Sequence, residues 1–390
     1  MTEAIMTHKN GFQKYGLLVA CLFVSLVAIP VAYFQGLISI EQVNLYGRYM
    51  TFAIVALGLD LVWGYTGILS LCQALFFALG GYAMGMYLAH HGGAGGAEGA
   101  NGWSIPACLY VVYPYKVGEI PSDAALPWFW KPSYWLSGAI ALGIILPGIV
   151  SAIIGYFGFK SRVRGVYFSI LTQAITVAAW LVFCMNNMFL CGTNGLTRFE
   201  NIAGHDVNAP SVKLTLYLVS VISLIGIYFG CKYLVNSRLG RILIAIRDDE
   251  NTLRFSGYHP YIYKTFIFSL GGMIAGYAGV LYAAQQTIFA PAEMEAAKSI
   301  LIVVWVAVGG RGSLKGAIAG ALTINVLYNT LTTSYPELWP YILGTLFIAV
   351  VLLFPRGLVG LVSDLWEYTK VQVRGVRPSD VKPSAEGEVA

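Results

Sequence analysis

The sequence predicts an all-α integral membrane protein of about ten transmembrane helices, some short or broken, with both termini cytoplasmic. Three observations carry this reading. The chain is 57% hydrophobic and only 11% charged, with a mean hydropathy of +0.68, whereas soluble domains carry ~25% charged residues. Its apolar runs approach the ~20 residues needed to cross a bilayer. Lysine and arginine gather on alternate sides of those runs. Helices are preferred to barrel strands because backbone in hydrocarbon must satisfy its own hydrogen bonds, and the chain lacks the alternating segments of a barrel.

In order, the runs fall at 17–34, 49–63, 68–89, 136–158, 165–186, 212–235, 264–289, 299–309, 314–332 and 338–354. The first follows Lys9 and Lys14 in the manner of a signal peptide, but it is long for a signal core and no small-x-small site follows it, so it is read as a span. Two outer stretches, 90–135 and 187–211, are polar or aromatic. The tryptophans at 103, 128, 130 and 135 suit a membrane interface, with reception of a partner as the alternative. Residues 1–355 form one transmembrane domain, and 356–390 form a polar, flexible cytoplasmic tail.

Threading ten spans from a cytoplasmic N-terminus places 18 of the 24 Lys and Arg inside. They lie before the first run, at 160–164, from Lys232 to Lys264, at 311–315 and after 355; Arg48, Lys116, Lys131, Arg198, Lys213 and Lys298 lie outside. This asymmetry obeys the positive-inside rule. The basic residues form no stripe, which argues against nucleic acid as a partner.

The six cysteines form no CxxC pair and no metal-ligand spacing. Most read as small buried apolar residues; a bond between Cys108 and Cys191, both on the outer side, is open. His90, His91, His205 and His259 lack paired helical spacing, so no metal site is expected. Gly81 and Gly85, Gly272 and Gly276, and Gly312, Gly316 and Gly320 recur at intervals of four, which predicts close helix packing.

Charge concentrates in "SRLGRILIAIRDDENTLRFSG", Ser237 to Gly257, where seven charges fall between Arg238 and Arg254. This lies in the cytoplasmic loop 236–263. Leu239, Ile242, Leu243 and Ile246 recur at i, i+3, i+4 and i+7 as the apolar stripe of a short helix. Asp248 or Asp249 caps a second short helix, which ends at Gly257 ahead of Pro260. Three readings are open: a loop resting on anionic headgroups, a regulatory docking site, or a helix that fits a groove on a cytoplasmic motor.

No G-x-x-x-x-G-K-[ST] phosphate loop is present, and the glycines of "GGAGGAEG" at 92–99 lack the strand and helix context of a nucleotide site. Any ATP must be hydrolysed on other subunits. Asp60 is the one carboxylate inside a predicted span, where a charge costs at least ~2.5 kcal/mol. It stands beside "WGYTG", where Gly64 and Gly67 allow the helix to unwind. Asp60 accepts either from an amide substrate or from backbone N–H groups freed at the break, or it pairs with an arginine; the structural readings are preferred. "GGRGSLKG" at 309–316 is a similar break, and paired interrupted spans can flank a translocation path.

The charged segment, followed by "KTFIFSLGGMIAGYAGVLYA", resembles the inner-membrane permease subunits of the branched-chain amino-acid family of ABC transporters, most closely the urea branch. The matching positions are Ser237, Gly240, Arg241, Ala245, Ile246, Arg247, Asp248, Glu250 and Gly257, then Ala275, Gly276, Ala278 and Gly279. Further blocks match at Ala56 to Leu88, at "VWVAVGGRGSLKGAIAGA" from Val304 to Ala321, and at "CGTNGLTRF" from Cys191 to Phe199, the last similar to urea members. Ser70, Leu71, Cys72 and Gln73 stand where much of the family reads S-L-G-H, so a role of that histidine does not transfer.

The resemblance implies a non-enzymatic permease subunit of an importer in the bacterial inner membrane, surrounded by lipid, with no cofactor of its own. ATP and Mg would be used by two partner ATPase subunits. A second related permease subunit would complete a heterodimer, and a periplasmic binding protein would deliver cargo. The loop would then couple to an ATPase through Ser237, Leu239, Gly240, Arg241, Ile242, Leu243, Ala245, Ile246, Arg247, Asp248, Glu250 and Gly257. Urea, or a short-chain amide, is the implied cargo. Asp60, Gln73, Phe76, Phe77, Thr193, Asn194 and Asn325 offer the polar and aromatic groups that such a path needs. A branched-chain amino acid is the alternative cargo, and an ATP-independent channel or ion-coupled carrier the alternative class. Ion-coupled carriers usually hold several ionisable residues within spans.

Overall fold

A computed structural model describes residues 25–92, 127–163, 165–335 and parts of 337–345. The described chain is mostly helical: α1 (Ser25–Phe34), α2 (Ile40–Thr66), α3 (Gln73–His90), α4 (Leu136–Lys160), α5 (Val166–Phe183), α6 (Pro210–Asn236), α7 (Arg238–Asp248), α8 (Glu250–Phe255), α9 (Pro260–Ala283), α10 (Ala296–Gly309) and α11 (Leu314–Ser334). Four two-residue strands modify the all-helical expectation. β1 (Leu196–Thr197) pairs antiparallel with β4 (Ile288–Phe289), and β2 (Asn201–Ile202) with β3 (His205–Asp206). Two residues carry no periodicity, so nothing in the sequence announces them.

Among the described residues five helices are long and apolar enough to cross a membrane: α2, α4, α5, α6 and α9. A sixth span results if α10 and α11, bent by 119° at their junction, count as one. This is fewer than the ten runs. α10 has 14 residues, about 21 Å of helix, which falls short of a ~30 Å hydrocarbon core. α3 starts only after an extended segment. Most of the 338–354 run, the tail, the termini, Cys108 and Trp103 lie outside the described residues.

α9 lies at the centre and packs on α4, α3 and α2; α2 also meets α6, α10 and α11. α3 is buried throughout and α2 over most of its length, whereas α4, α5 and α6 present apolar faces outward. On α4, Ile145, Ile149, Ile153 and Phe157 are exposed at four-residue spacing, the pattern of a face turned to lipid. α2 begins with a capping box in which Ser39 and Gln42 satisfy each other's backbone N–H groups at 3.3 and 2.9 Å.

Small residues let the central helices touch. A methyl group on Gly276 would meet the Gly143 carbonyl and the Pro147 ring, and one on Gly272 would meet Ser151, all on α4. Gly316 and Gly320 press likewise on Gly309 and Trp305 of α10. Three other glycines depart from the helix-packing expectation. Gly81 and Gly85 face Phe289 and Leu196 of the β1–β4 pair, and Gly312 lies in the bend before α11 with a positive φ of 78°.

α4 continues through Pro147, and hydroxyls engage the carbonyls beside it. Ser151 Oγ donates to Pro147 O at 2.6 Å, and Ser269 Oγ on α9 donates to Gly148 O at 2.8 Å. Trp130 is fully buried and donates to Phe189 O at 3.1 Å, while Trp128 and Trp135 are exposed. Cys72, Cys184 and Cys231 are free thiols and Cys191 is disulfide-bonded; its bonding partner falls outside the described residues.

Candidate functional site

The charged segment folds as the sequence predicts, into two short helices. Ser237 caps α7 by accepting from Leu239 N at 3.2 Å. Asp249 caps α8, accepting from Asn251 N at 2.9 Å and Thr252 N at 3.3 Å. The Thr252 hydroxyl and these backbone donors hold the Asp249 carboxyl below its ordinary range. Glu250 anchors the pair of helices to α9: Lys264 Nζ donates to it at 2.7 Å and Arg254 pairs with it from one turn on. Burial by itself would raise the Glu250 carboxyl, but the hydrogen bond and charge of Lys264, with the charge of Arg254, overrule it and hold the group low. Gly257, at a positive φ of 84°, closes α8.

The apolar stripe of α7 is not free. Gly240, Leu243 and Ile246 are buried in the chain's own bundle, Leu239, Ile242 and Ala245 are half-buried, and Arg238, Arg241, Asp248 and Asp249 face outward. A partner approaching α7 therefore meets charge. This corrects the expectation of an apolar ridge free to enter another protein's groove, because amphipathic spacing alone does not say which body covers the stripe.

Arg247 reaches from α7 into the end of α2. Its Nη1 donates to Gly64 O at 3.0 Å, its Nε contacts Asp248 Oδ1 at 3.3 Å, and its Cγ lies over Gly67. One turn before Gly64, Asp60 Oδ1 accepts from Gly312 N at 2.7 Å. The break at "WGYTG" and the break at "GGRGS" thus meet, with the surface helix touching the first. Gly64 has no room for a side chain: a methyl there would lie 2.5 Å from Asp60 Oδ1 and 2.6 Å from Gly312 N. Arg311, in the second break, sits over the Trp63 ring at 5.6 Å, a cation–π contact. The preferred structural reading of Asp60, acceptor for a freed backbone N–H, matches this geometry, although the donor comes from the other break.

Beyond Gly67 the chain runs extended to α3 along a row of α5 hydroxyls. Ser169 Oγ donates to Leu69 O at 2.8 Å, Leu71 N donates to Thr172 Oγ1 at 3.0 Å, and Thr176 Oγ1 donates to Leu71 O at 3.1 Å. Thr172 and Thr176 stand about 9 and 15 Å along α5 from its start, so α3 begins deep in the bundle. Non-helical backbone at such depth needs partners from protein or water, and the ladder supplies them. Its signal in the sequence was three hydroxyls spaced by three and four on a run whose other residues, Gln173 apart, are apolar. An open groove of about 890 Å³ lies between this segment and α5, lined by Gly67, Leu69, Leu71 and α5 residues including Ser169 and Gln173.

The predicted path residues are not brought together. Gln73, Phe76 and Phe77 share α3; Gln73 is buried with neither amide atom hydrogen-bonded among the described residues, and Phe76 packs edge-on to Phe268. Phe77 joins a different group, with Phe52 and Tyr282. Asp60 is at the junction of the breaks. Thr193 and Asn194 are exposed in a short 3-10 turn. Asn325, buried on α11, donates back to Ala321 O at 2.7 Å. Sequence reasoning missed Phe52, Tyr282 and Trp305, which read as ordinary apolar residues of their runs.

A bundle of apolar helices interrupted at paired glycine breaks, with an anchored charged helix on one break, has the build of a membrane permease. Residues 42–351 match the family described as the branched-chain amino acid transport system permease component, and the chain belongs to that family. It is 25% identical to the high-affinity branched-chain amino acid transport system permease protein LivM of Salmonella typhimurium, over 93% of this chain and 79% of that protein. Its identity to LivM of Escherichia coli is also 25%, over 89% and 75% of the two chains. The ribose import permease protein RbsC of Escherichia coli is 24% identical over 50% of this chain and 60% of its own length. No solved structure matches. The chain is therefore an ABC-type permease of the branched-chain amino-acid and sugar family, a multi-pass protein of the bacterial inner membrane.

Proposed function

We propose that this chain is the membrane-spanning subunit of an ABC importer for urea and short-chain amides, powered by ATP and Mg bound on two partner ATPase subunits. A second permease subunit completes the membrane domain, and a periplasmic binding protein supplies cargo. The observation that carries the importer reading is the contact of Arg247 with Gly64 beside that of Asp60 with Gly312. Through it, a push on the outward charges of α7 reaches both interrupted spans. Residues 236–263 then lie on the cytoplasmic side, as their basic residues require.

Cargo is supported from two directions. The blocks at Cys191 to Phe199 and Ala56 to Leu88 support urea, whereas the names of the LivM relatives support a branched-chain amino acid. Uptake of labelled urea and of labelled leucine, in cells lacking the gene and in cells where it is restored, separates them; loss of leucine uptake alone would sink the urea assignment. Coupling is tested with Arg241→Glu, which reverses an exposed charge away from the junction. The variant should assemble normally but hydrolyse ATP without matching uptake. Unchanged transport would remove α7 from the coupling role.

A further inference from the structure

α10 starts at the opposite end of the bundle from Arg247, and beside its start lies a small cavity of about 20 Å³. Phe52, Ala74, Phe77 and Trp305 are among its walls, and Glu293 and Lys298 border it as an ion pair at 3.2 Å. The aromatic walls pack at a tilt: the Phe52 ring is 5.1 Å from Trp305, and Phe52 and Phe77 lie 5.2 and 5.1 Å from the neighbouring Tyr282. Glu293 is also 3.5 Å from the Tyr282 hydroxyl. The cavity has room for about one water.

Around the cavity the Glu293 carboxylate is an acceptor and the Trp305 indole a donor. Trp305 is 3% exposed and its indole N–H is buried without a partner among the described residues. Ala74 belongs to the first turn of α3, an 18-residue helix whose N-terminus carries positive partial charge. Ala74 N is engaged by Ser299 Oγ at 3.3 Å, which ties α3 to α10. A ligand here must bring an acceptor for the indole N–H, and a face that packs on aromatic rings. The opposite charges of Glu293 and Lys298 cancel at the border, so nothing there selects a net charge. A branched-chain amino acid brings two charges and a bulky side chain, and would need a far larger opening.

We propose that this cavity is the closed form of a cargo subsite for a small, flat, uncharged carbonyl compound, with the Trp305 indole N–H as donor to the carbonyl oxygen and the Glu293–Lys298 pair as gate. The proposal deepens, and rests on, the reading of the chain as an importer of urea. It also joins the two ends of the molecule. Trp305 lies one turn before Gly309, at the break whose Gly312 is held by Asp60, so movement of that break displaces the donor.

The test uses the full importer, this chain with its partner subunits, reconstituted in liposomes with radiolabelled urea as probe. Trp305→Phe keeps a ring and removes the donor. It should raise the half-saturating urea concentration about tenfold, equivalent to ~1.4 kcal/mol, with the maximal rate changed far less. Phe77→Ala enlarges the cavity and should let N-methylurea compete more strongly with urea than it does in the unchanged importer; Phe77→Leu takes its place if the alanine variant does not assemble. Assembled variants with unchanged half-saturation and unchanged competition would overturn the cavity assignment alone. An unchanged importer that carries L-leucine and not urea would instead overturn the cargo reading, and the ligand class with it.

Discussion

Arg247 Nη1 donates to the carbonyl of Gly64 at 3.0 Å across 183 residues of sequence. It links a surface helix to the last turns of a buried span. Hydrogen bonds from a charged donor contribute ~1.5–3 kcal/mol, so Arg247→Ala should lower uptake per ATP hydrolysed by about tenfold or more. Paired uptake and ATPase assays in proteoliposomes check this. An unchanged ratio would show that the link carries no motion.

Asp60 and Gly64 are expected to answer differently to conservative change. Asp60→Asn keeps an acceptor for Gly312 N, and uptake should stay within about twofold, whereas Asp60→Ala leaves that N–H unpaired at a cost of ~1–3 kcal/mol. Gly64→Ala has no space between Asp60 and Gly312 and should be worse than either in detergent-solubilised yield. Loss of urea binding in Asp60→Asn, with thermal stability intact, would contradict the structural role.

The hydroxyl ladder on α5 makes a stability prediction. Thr172→Val and Thr176→Val together remove a partner for Leu71 N and one for Leu71 O. With ~1 kcal/mol for each bond, the double variant should melt about 5 °C lower in detergent. An unchanged melting temperature would mean that water replaces the hydroxyls.

The anchor of α8 should depend on pH. Glu250 is held below its ordinary carboxylate range in the folded protein, so its contribution is present above ~4.3 and is lost as pH falls through the lowered folded value. Melting temperature should therefore drop on acidification below that range in the unchanged protein and drop less in Glu250→Gln. Parallel curves for the two proteins would exclude Glu250 as a source of the acid response.

The two helices of the charged segment, a cap at Asp248 or Asp249, and the glycine breaks after Trp63 and Val308 were legible in the sequence, because caps and glycines are local signals, whereas the cap at Ser237 was read only from the structure. The meeting of those breaks was not, since Asp60 and Gly312 lie 252 residues apart and neither carries a mark of the other. Stripe ownership was hidden for a related reason: Leu243 and Ile246 are equally apolar whether they face their own bundle or a partner. Ile246→Asp consequently tests folding more than coupling. The dispersal of Gln73, Thr193, Asn194 and Asn325 shows that residue type alone does not locate a path.

The extended stretch before α3 also sets an order of synthesis. Its backbone is held by Ser169, Thr172 and Thr176, which leave the ribosome about 100 residues after it. At ~5–20 residues per second the interval is roughly 5–20 s. Until then α3 has no settled seat in hydrocarbon, so the insertion machinery must shelter the first half of this chain while it waits for the fifth helix.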